Sequence, residues 1–456
     1  MTQLATERWL EAAFFDEPED DSLDGGTTDH GPLWHAISPR WGHSMHTMCS
    51  YHGMFPPKLA HYFIERYSQP DEVVLDPFSG RGTTTLQARV EGRNTISNDL
   101  NPLAYVLTRA KAAPPTWTSV MGTIDQLERR YRARAQRDVD VPADIEMLFH
   151  KNTLRQLVFL RSYLFRRPMS TWSREEFMIA GAVAGILHGA HRSDGSSQYL
   201  SISMPNTFSM SPAYVRNFIR ENRLIKLDQD VFECLRDKLA RLYLDETRGS
   251  AGQVSKRDAT GLLSNPKAMA AGSVDLIVTS PPYLQVVNYG TQNWIRLWWL
   301  GLDEVSRNAG EGRRKLDAKL DHQHNYDAYA DFMLRTMKGA RRVLKKTGVA
   351  VLVIGDVTVP GKPSVALALQ VWEDIGDRTG LKQLAVIEDS LPVQNKVSRI
   401  WGDTKGKATD RDCALVLARK DGNPITDNPD VDWEEPYKDG GPDAAHDRLR
   451  QARRPS

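Results

Sequence analysis

The apolar residues of this chain change their spacing along its length, and the spacing predicts where helices and strands lie. Residues 56–67 carry them at helical spacing behind a pair of prolines, an arrangement typical of a first helical turn. Short β-branched runs follow at residues 72–78 and 94–99, with two glycines and a helical pattern between them. This order of strand, turn, helix and strand predicts the opening of an α/β fold with a doubly wound, mostly parallel sheet.

A long stretch with helical spacing interrupts the strand patterns. It covers residues 116–245, and strand patterns return in SVDLIVTSPPY, GVAVLVIGDV, QLAVIEDS and CALVLARK. Because the stretch is too long for a connection between neighbouring elements, we expect a separate helical insertion. The sheet domain would then consist of residues 43–115 and 246–420.

The two ends of the chain differ from the rest in composition. Residues 1–42 include the acidic, glycine-rich run DEPEDDSLDGGTTDHG, whereas residues 421–456 are rich in proline and aspartate and end with arginines. Such segments bury too little apolar surface to offset the entropy of ordering them. We therefore expect a partly disordered N-terminal arm and a disordered tail.

Composition and charge narrow the range of functions. The 456 residues include 59 Lys and Arg against 58 Asp and Glu, so a nucleic-acid partner would need a local basic patch. Three isolated cysteines, with no Cys/His cluster, predict neither disulfides nor a metal site. With no long apolar run and no signal-like N-terminus, we expect a cytoplasmic protein without membrane contact.

A glycine-containing turn with the sequence DPFSGRGT runs from Asp76 to Thr83, between the first strand and its helix. Gly80 and Gly82 allow the backbone to turn tightly and to approach a ligand closely. The N-terminus of the helix that follows offers unpaired N–H groups to the polar part of that ligand. Asp99 ends the second strand, where a carboxylate can accept both hydroxyls of a ribose. The pattern predicts a nucleotide-like ligand, while a Gly-x-Gly pair taken alone equally suits a simple tight turn.

A second motif, TSPPY at residues 279–283, directly follows the apolar strand VDLIV. Two consecutive prolines cannot donate to a strand ladder, so the backbone carbonyls there would face the crevice. Open α/β sheets bind ligands at that edge. The structural alternative is a rigid turn with a buried tyrosine.

Together these motifs resemble those of the S-adenosylmethionine-dependent amino-methyltransferases that act on DNA bases at cytosine N4 or adenine N6. That family carries DPFxGxGT as a cofactor motif and [SND]-P-P-[YF] as its catalytic motif, and HGMFPPKLA, NDLNP and RDA are similar to its further cofactor motifs. The resemblance implies a Rossmann-like class I fold. The cofactor residues it implies are Phe55, Pro56, Asp76, Pro77, Phe78, Ser79, Gly80, Gly82, Thr83, Thr84, Asp99, Leu100, Asn101, Asp258 and Ala259.

The resemblance implies that catalysis lies with Ser280, Pro281, Pro282 and Tyr283. The Ser280 oxygen and the Pro281 carbonyl would accept the N–H bonds of an exocyclic amine, and Tyr283 would stack on a base flipped out of double-stranded DNA. Serine in the first position is similar to the cytosine-N4 branch. We expect a site-specific DNA methyltransferase of a restriction-modification or defence system, with cognate restriction or defence proteins as partners.

Three alternatives stay open at this level. Adenine-N6 methylation would use the same pocket for another exocyclic amine, and RNA guanine-N2 methyltransferases carry a similar pairing of DPF with PPY. A binding subunit that keeps the fold and the cofactor without turnover is the non-enzymatic alternative.

Target recognition is expected in the helical insertion, whose cations would track phosphates. Its candidate residues are Arg129, Arg130, Arg132, Arg134, Arg137, Arg161, Arg166, Arg167, Arg216 and Arg220. Trp294, Trp298 and Trp299 stand at helical spacing, which predicts core packing. His322 and His324 lack a third ligand at fitting spacing and predict a loop.

Overall fold

The fold is given by a computed structural model, which describes residues 37–38, 41–51, 53, 56–134, 138–204, 210–282, 284, 289–302, 311–320, 325–355, 366–390, 411–424 and 431–438. Its strands are β1 (Val73–Asp76), β2 (Asn94–Asn98), β3 (Gln253–Ser255), β4 (Val274–Thr279), β5 (Leu344–Gly355), β6 (Leu381–Ser390) and β7 (Arg411–Arg419). The helices up to the third strand are α1 (Pro57–Tyr67), α2 (Thr83–Val90), α3 (Pro102–Ala112), α4 (Trp117–Arg132), α5 (Ala143–Glu146), α6 (Lys151–Leu164), α7 (Arg174–Ile186), α8 (Pro212–Asn222) and α9 (Val231–Leu242). The later helices are α10 (Ala259–Ser264), α11 (Tyr289–Gln292), α12 (Trp294–Trp299), α13 (Glu311–Leu320), α14 (Tyr326–Val343) and α15 (Leu367–Thr379).

The strands of the described chain form one sheet in the order β3-β2-β1-β4-β5-β7-β6. The first five strands are parallel, whereas β7 runs antiparallel to both β5 and β6. The chain builds outward from β1 to β3 and then returns to place β4 on the other side of β1. The predicted doubly wound, mostly parallel sheet is confirmed, and its switch point lies between β1 and β4.

Successive residues of the central strands point to opposite faces of the sheet. Leu75 and Ile277 pack with α10, α14 and α15 on one face, whereas Val74 and Leu276 pack with α1 on the other. Helices therefore cover both faces, and β4 is buried along its whole length. This double burial explains why the central strands read as continuous apolar runs.

The helical insertion shares its core with the sheet domain. One hydrophobic cluster contains Phe177 and Ile179 of α7 together with Leu103 and Leu107 of α3 and Leu86 of α2. Nearly every residue of α3 is buried, because α7 covers the surface of α3 that faces away from the sheet. The insertion therefore packs directly on the sheet domain, while the division of the chain into these domains stays a prediction.

Part of the tail predicted to be disordered packs onto the sheet domain. In residues 431–438, the ring of Trp433 lies 4.9 Å from that of His61, and Tyr437 is buried. Two aromatic side chains supply the apolar contact that the polar composition of the tail concealed. Of the predicted arm, residues 37, 38, 41 and 42 are described, and most of it lies outside the described residues, as does most of the tail.

The tryptophans after the second motif form core, as their spacing predicted. Trp294, Trp298 and Trp299 are at most 1% exposed. His322 and His324 lie outside the described residues. None of the described helices combines the length and the apolar character needed to cross a bilayer.

Candidate active site

A cleft lies where the chain leaves the carboxyl ends of β1, β2 and β4, beside the switch point of the sheet. Its volume is about 740 Å³, including the space at its open mouth. It is lined by Tyr51, Gly53, Pro77, Phe78, Ser79, Gly80, Arg81, Thr83, Asn98, Asp99, Leu100, Asn101, Arg257, Ala259, Ser280, Pro282, Tyr289 and Leu320. Segments that are far apart in sequence, including both predicted motifs, thus meet in one cleft.

The turn after β1 adopts left-handed backbone conformations that its glycines permit. Gly80 has a φ of 50° and Gly82 a φ of 75°. A Cβ on Gly82 would lie 3.1 Å from the Cα of Thr108 on α3. A larger residue would therefore strain the backbone and crowd α3, and the N-terminus of α2 would lose its place at the cleft.

The Asp99 carboxylate connects the end of β2 to this turn. Its Oδ2 accepts a hydrogen bond from the Gly80 N–H at 2.8 Å, and its Oδ1 accepts one from the Asn101 N–H at 2.8 Å. Burial raises the pKa of Asp99 to about 6 against the opposing effect of these N–H donors. A carboxylate oxygen can accept more than one hydrogen bond, so this arrangement suits the predicted ribose contact.

Asp76 and Thr84 support the cleft from behind instead of lining it. The Asp76 Oδ1 accepts hydrogen bonds from the Thr279 hydroxyl at 2.6 Å and from the Phe78 N–H at 3.2 Å. Thr84 donates its hydroxyl to the carbonyl of Val278 at 3.1 Å. Both contacts tie the cofactor turn to the end of β4. Burial raises the pKa of Asp76 to about 7.

Arg81 lines the cleft, although its chemistry was not singled out from the sequence. Its guanidinium donates to the Thr83 hydroxyl at 3.1 Å and to the carbonyl of His46 at 3.2 Å. The Lys111 ammonium donates to the Arg81 carbonyl at 2.7 Å. Burial lowers the pKa of Arg81 to about 10 and that of Lys111 well below its usual value. These contacts are to neutral oxygens, so the Arg81 guanidinium concentrates positive charge behind the turn.

Tyr51 is a second cleft residue that the sequence reasoning missed. Its hydroxyl accepts a hydrogen bond from the Asn101 side-chain amide at 3.0 Å. Its ring lies over Gly80, where an added Cβ would be 3.5 Å from the Tyr51 Cε1. Burial raises the pKa of Tyr51 well above its usual value. Its position directly before the HGMFPPKLA segment was the available signal.

On the β4 side, Ser280 and Pro282 line the cleft and Pro281 is buried. Tyr283 lies outside the described residues. Tyr289 lines this side, with its ring centroid 6.0 Å from that of Tyr51 across the cleft. Residues of both motifs therefore line one cleft, the first motif on the side of the cofactor turn and the second on the side of β4.

The remaining predicted cofactor residues divide between the cleft and its surroundings. Ala259 lines the cleft, whereas the exposed Asp258 caps α10 by accepting a hydrogen bond from the Gly261 N–H at 2.7 Å. The structure thus gives Asp258 a capping role, which its place before a short helix explains. Pro56 is the N-cap residue of α1 and is not among the lining residues, and Phe55 lies outside the described residues.

Comparison with known proteins decides the family. A family model for N6 and N4 methyltransferases, described as DNA methylase, matches residues 13–108 and 274–448. The chain belongs to this DNA methylase family. The resemblance carried by the motifs is confirmed, and the family is one of S-adenosylmethionine-dependent methyltransferases. The whole helical insertion, residues 116–245, lies outside the matched residues.

The individual relatives of this chain are distant. The Type II methyltransferase M.MvaI of Kocuria varians is 24% identical over 286 residues, which cover 57% of this chain and 58% of that protein. The Type II methyltransferase M.BsoBI of Geobacillus stearothermophilus is 21% identical over 310 residues, covering 62% and 59%. The chain spans at most 59% of the length of these curated relatives.

One similar solved structure is a provisionally assigned DNA modification methylase from Thermus thermophilus in complex with S-adenosyl-L-methionine. It is 21% identical and covers 38% of this chain and 54% of that one, with a TM-score of 0.22. The fold assignment therefore rests on the sheet topology described above.

The cleft fits the methyl donor of the DNA methylase family by the chemistry of its walls. Asp99 offers acceptors for a ribose diol, and Phe78 and Ala259 offer apolar surface for a purine. The N-terminus of α2 and the Arg81 guanidinium provide a positive potential that suits a carboxylate.

Proposed function

We propose that this chain is a site-specific DNA methyltransferase that methylates the exocyclic amine of a flipped base, with cytosine N4 as the target and S-adenosylmethionine as the methyl donor. The observation that carries the proposal is the convergence of two walls in one cleft, with Asp99 on one and Ser280 and Pro282 on the other. Its Type II relatives support a restriction-modification setting in the cytoplasm with cognate restriction or defence proteins as partners.

The residues of the second motif would address the weakness of the amine as a nucleophile. Its lone pair is delocalised into the base, so holding its protons and bending it toward a tetrahedral shape favours attack. The Ser280 oxygen and the Pro281 carbonyl would accept those protons in hydrogen bonds, since preorganised dipoles are effective in a cleft that excludes water. When bound, S-adenosylmethionine would supply a methyl group activated by its sulfonium; the neutral thioether would leave, and the methylated amine would release one proton to solvent.

The support behind the cleft would keep this geometry fixed. Asp76 accepts the Thr279 hydroxyl at 2.6 Å, directly before Ser280. The strand end that positions the amine is therefore tied to the turn that positions the cofactor. A base in a duplex cannot reach the cleft, so flipping is part of the proposal, at a cost of a few kcal/mol.

Nucleoside mass spectrometry on DNA from cells that express the chain tests the proposal. We expect N4-methylcytosine with the wild-type chain and roughly a hundredfold lower turnover with Ser280→Ala, since the amine loses one acceptor. Ser273→Ala at the opposite end of β4 is the matched control and should keep wild-type turnover. Affinity for S-adenosylmethionine, measured by calorimetry, should stay within about threefold in both variants.

The same assay separates the alternatives. Detection of N6-methyladenine would leave the proposed mechanism intact but show that the target base is adenine. Detection of N2-methylguanine in cellular RNA would show that the substrate is RNA and not DNA. Cofactor binding without any modified nucleoside would favour a scaffold subunit. Unchanged turnover in Ser280→Ala would mean that this residue does not hold the amine.

A further inference from the structure

Helix α8 keeps an unusual share of its surface outside the core. Only Pro212 and Val215 of this helix are buried. Across the described residues the exposed large apolar side chains are Tyr214, Ile225 and Leu384, and the first two belong to α8 and the residues just after it. Tyr214 is 47% exposed and Ile225 is 71% exposed. Core packing does not account for these side chains, which leaves them available for contact with a partner.

The same segment carries a concentration of positive charge. Arg216, Arg220, Arg223 and Lys226 lie within fifteen residues that contain a single acidic residue, Glu221. Arg220 and Arg223 are exposed, and the Arg220 guanidinium reaches Asn217 on its own helix at 3.2 Å. A local basic patch of this kind is what a chain of nearly zero net charge needs to attract a polyanion.

Aromatic and basic side chains occupy different flanks of the helix. Tyr214 and Phe218 are four residues apart, and their rings are stacked at 6.0 Å with an angle of 13° between them. Arg216 and Arg220 are also four residues apart and lie on the other flank of the exposed surface. Cations that contact phosphates beside aromatic rings that contact sugars or bases are a common combination in nucleic-acid surfaces.

A contact just before its N-terminus ties α8 to the segment that follows the second motif. The Trp294 indole N–H donates to the carbonyl of Met210, two residues before α8, at 2.7 Å. Trp294 is only five residues beyond Tyr289, which lines the cleft. Arg216 pairs with Asp144 of α5 at 2.7 Å and thereby links α8 to another helix of the insertion. The helix is thus anchored to the segment that follows the catalytic loop.

We propose that the α8 surface, meaning the exposed side of residues 212–226, docks duplex DNA beside the flipped base. Arg220 and Arg223 would contact phosphates, and the Tyr214–Phe218 pair would pack against the sugar and base edges. This inference rests on the proposed function and deepens it, because it assigns target docking to one helix of the insertion. Charge complementarity and the anchor to Trp294 favour DNA over a protein partner.

The test compares two double variants of the full chain with the wild type. Arg220→Ala with Arg223→Gly removes two cations from the α8 surface, and glycine suits the φ of 49° at position 223. Arg335→Ala with Lys338→Ala removes two exposed cations from α14 and is the matched control. Fluorescence anisotropy would measure affinity for a labelled duplex containing the methylated site identified in cellular DNA.

We expect the α8 variant to bind the duplex roughly tenfold more weakly than the wild type. The slope of log affinity against log salt concentration should become less steep by about two, one for each cation removed. The control should keep the affinity and the slope of the wild type. Tyr214→Ala should weaken binding without changing the slope, because it removes an uncharged contact. Melting temperature and S-adenosylmethionine affinity should be unchanged in all three variants.

The outcomes distinguish this inference from the proposed function. If the wild type neither binds duplex DNA nor modifies it, the proposed function fails. If the wild type does both and the α8 variant behaves like the control, only the docking surface is refuted. If the α8 variant binds the duplex normally but methylates less in cells, the surface takes a protein partner and the DNA assignment is overturned.

Discussion

The cofactor wall, meaning the side of the cleft formed by the turn after β1 and by Asp99, depends on charged side chains, as does the α8 surface. The charged side chains of these two regions lie in opposite environments. Arg81 at the cofactor wall is 8% exposed, and its guanidinium is bound to neutral oxygens of Thr83 and His46. Arg220 on α8 is exposed and contacts its neighbour Asn217. Arg81 is held in a desolvated position, whereas the solvated side chain of Arg220 can change its conformation when DNA binds.

The difference teaches what each kind of charge can do. A buried charge is weakly screened and costs desolvation energy, so it is effective only for a ligand that fits one position. An exposed charge is screened by salt beyond roughly 10 Å and attracts a polyanion without demanding an exact fit. We therefore expect small-molecule binding and DNA binding to respond differently to mutation, salt and pH.

The largest expected effect is on the cofactor wall. Asp99→Ala should weaken S-adenosylmethionine binding by roughly thirtyfold or more, because a ribose would lose its charged acceptor. Asp258→Ala is the matched control, since its exposed carboxylate caps α10. It should lower stability by about 1 kcal/mol and leave affinity within about twofold. Calorimetry that shows equal affinity for Asp99→Ala and wild type would remove Asp99 from the site.

The next largest effect is a difference between the two regions in how strongly their ligand affinities depend on salt concentration. Doubling the ionic strength from about 0.1 M should weaken duplex binding roughly tenfold, since exposed phosphate contacts release counterions. S-adenosylmethionine affinity should change less than about twofold over the same range, because its contacts lie in a desolvated cleft. Equal salt dependence of the two affinities in parallel titrations would contradict the comparison.

The smallest expected effect concerns pH and the buried Asp76. Its pKa of about 7 in the folded chain lies above the unfolded value of 3.8, so the folded state holds a proton that the unfolded state has released. Stability should therefore fall as pH rises from about 4 to 7 and level off above. Asp76→Asn keeps an oxygen for the Thr279 hydroxyl and removes this ionisation.

Thermal melts at pH 5 and pH 8 check this prediction. The variant should gain several degrees in Tm relative to the wild type at pH 8 and less than half as much at pH 5. Asp99 titrates in both chains, so its contribution cancels in the difference. A difference that is the same at both pH values would mean that Asp76 is ionised throughout.

Much of the cofactor wall could be predicted because its chemistry is local. The backbone of the turn requires Gly80 and Gly82. The spacing between Gly82 and Asp99 is set by α2 and β2, which lie between them. The residues that sequence reasoning missed or misplaced depend on neighbours far along the chain. Tyr51 reaches the cleft through Asn101, and Asp76 meets Thr279, more than two hundred residues away.

The sequence by itself determined the strand and helix order, the two motifs and the edge of the sheet where they meet, because short-range periodicity and turn chemistry decide those features. Only the tertiary structure decided which acidic residues line the cleft and which support it. It also decided that α7 shares its core with α3 and that Trp433 joins the domain through His61. Burial decides these features, and burial is a property of residues brought together by the whole fold.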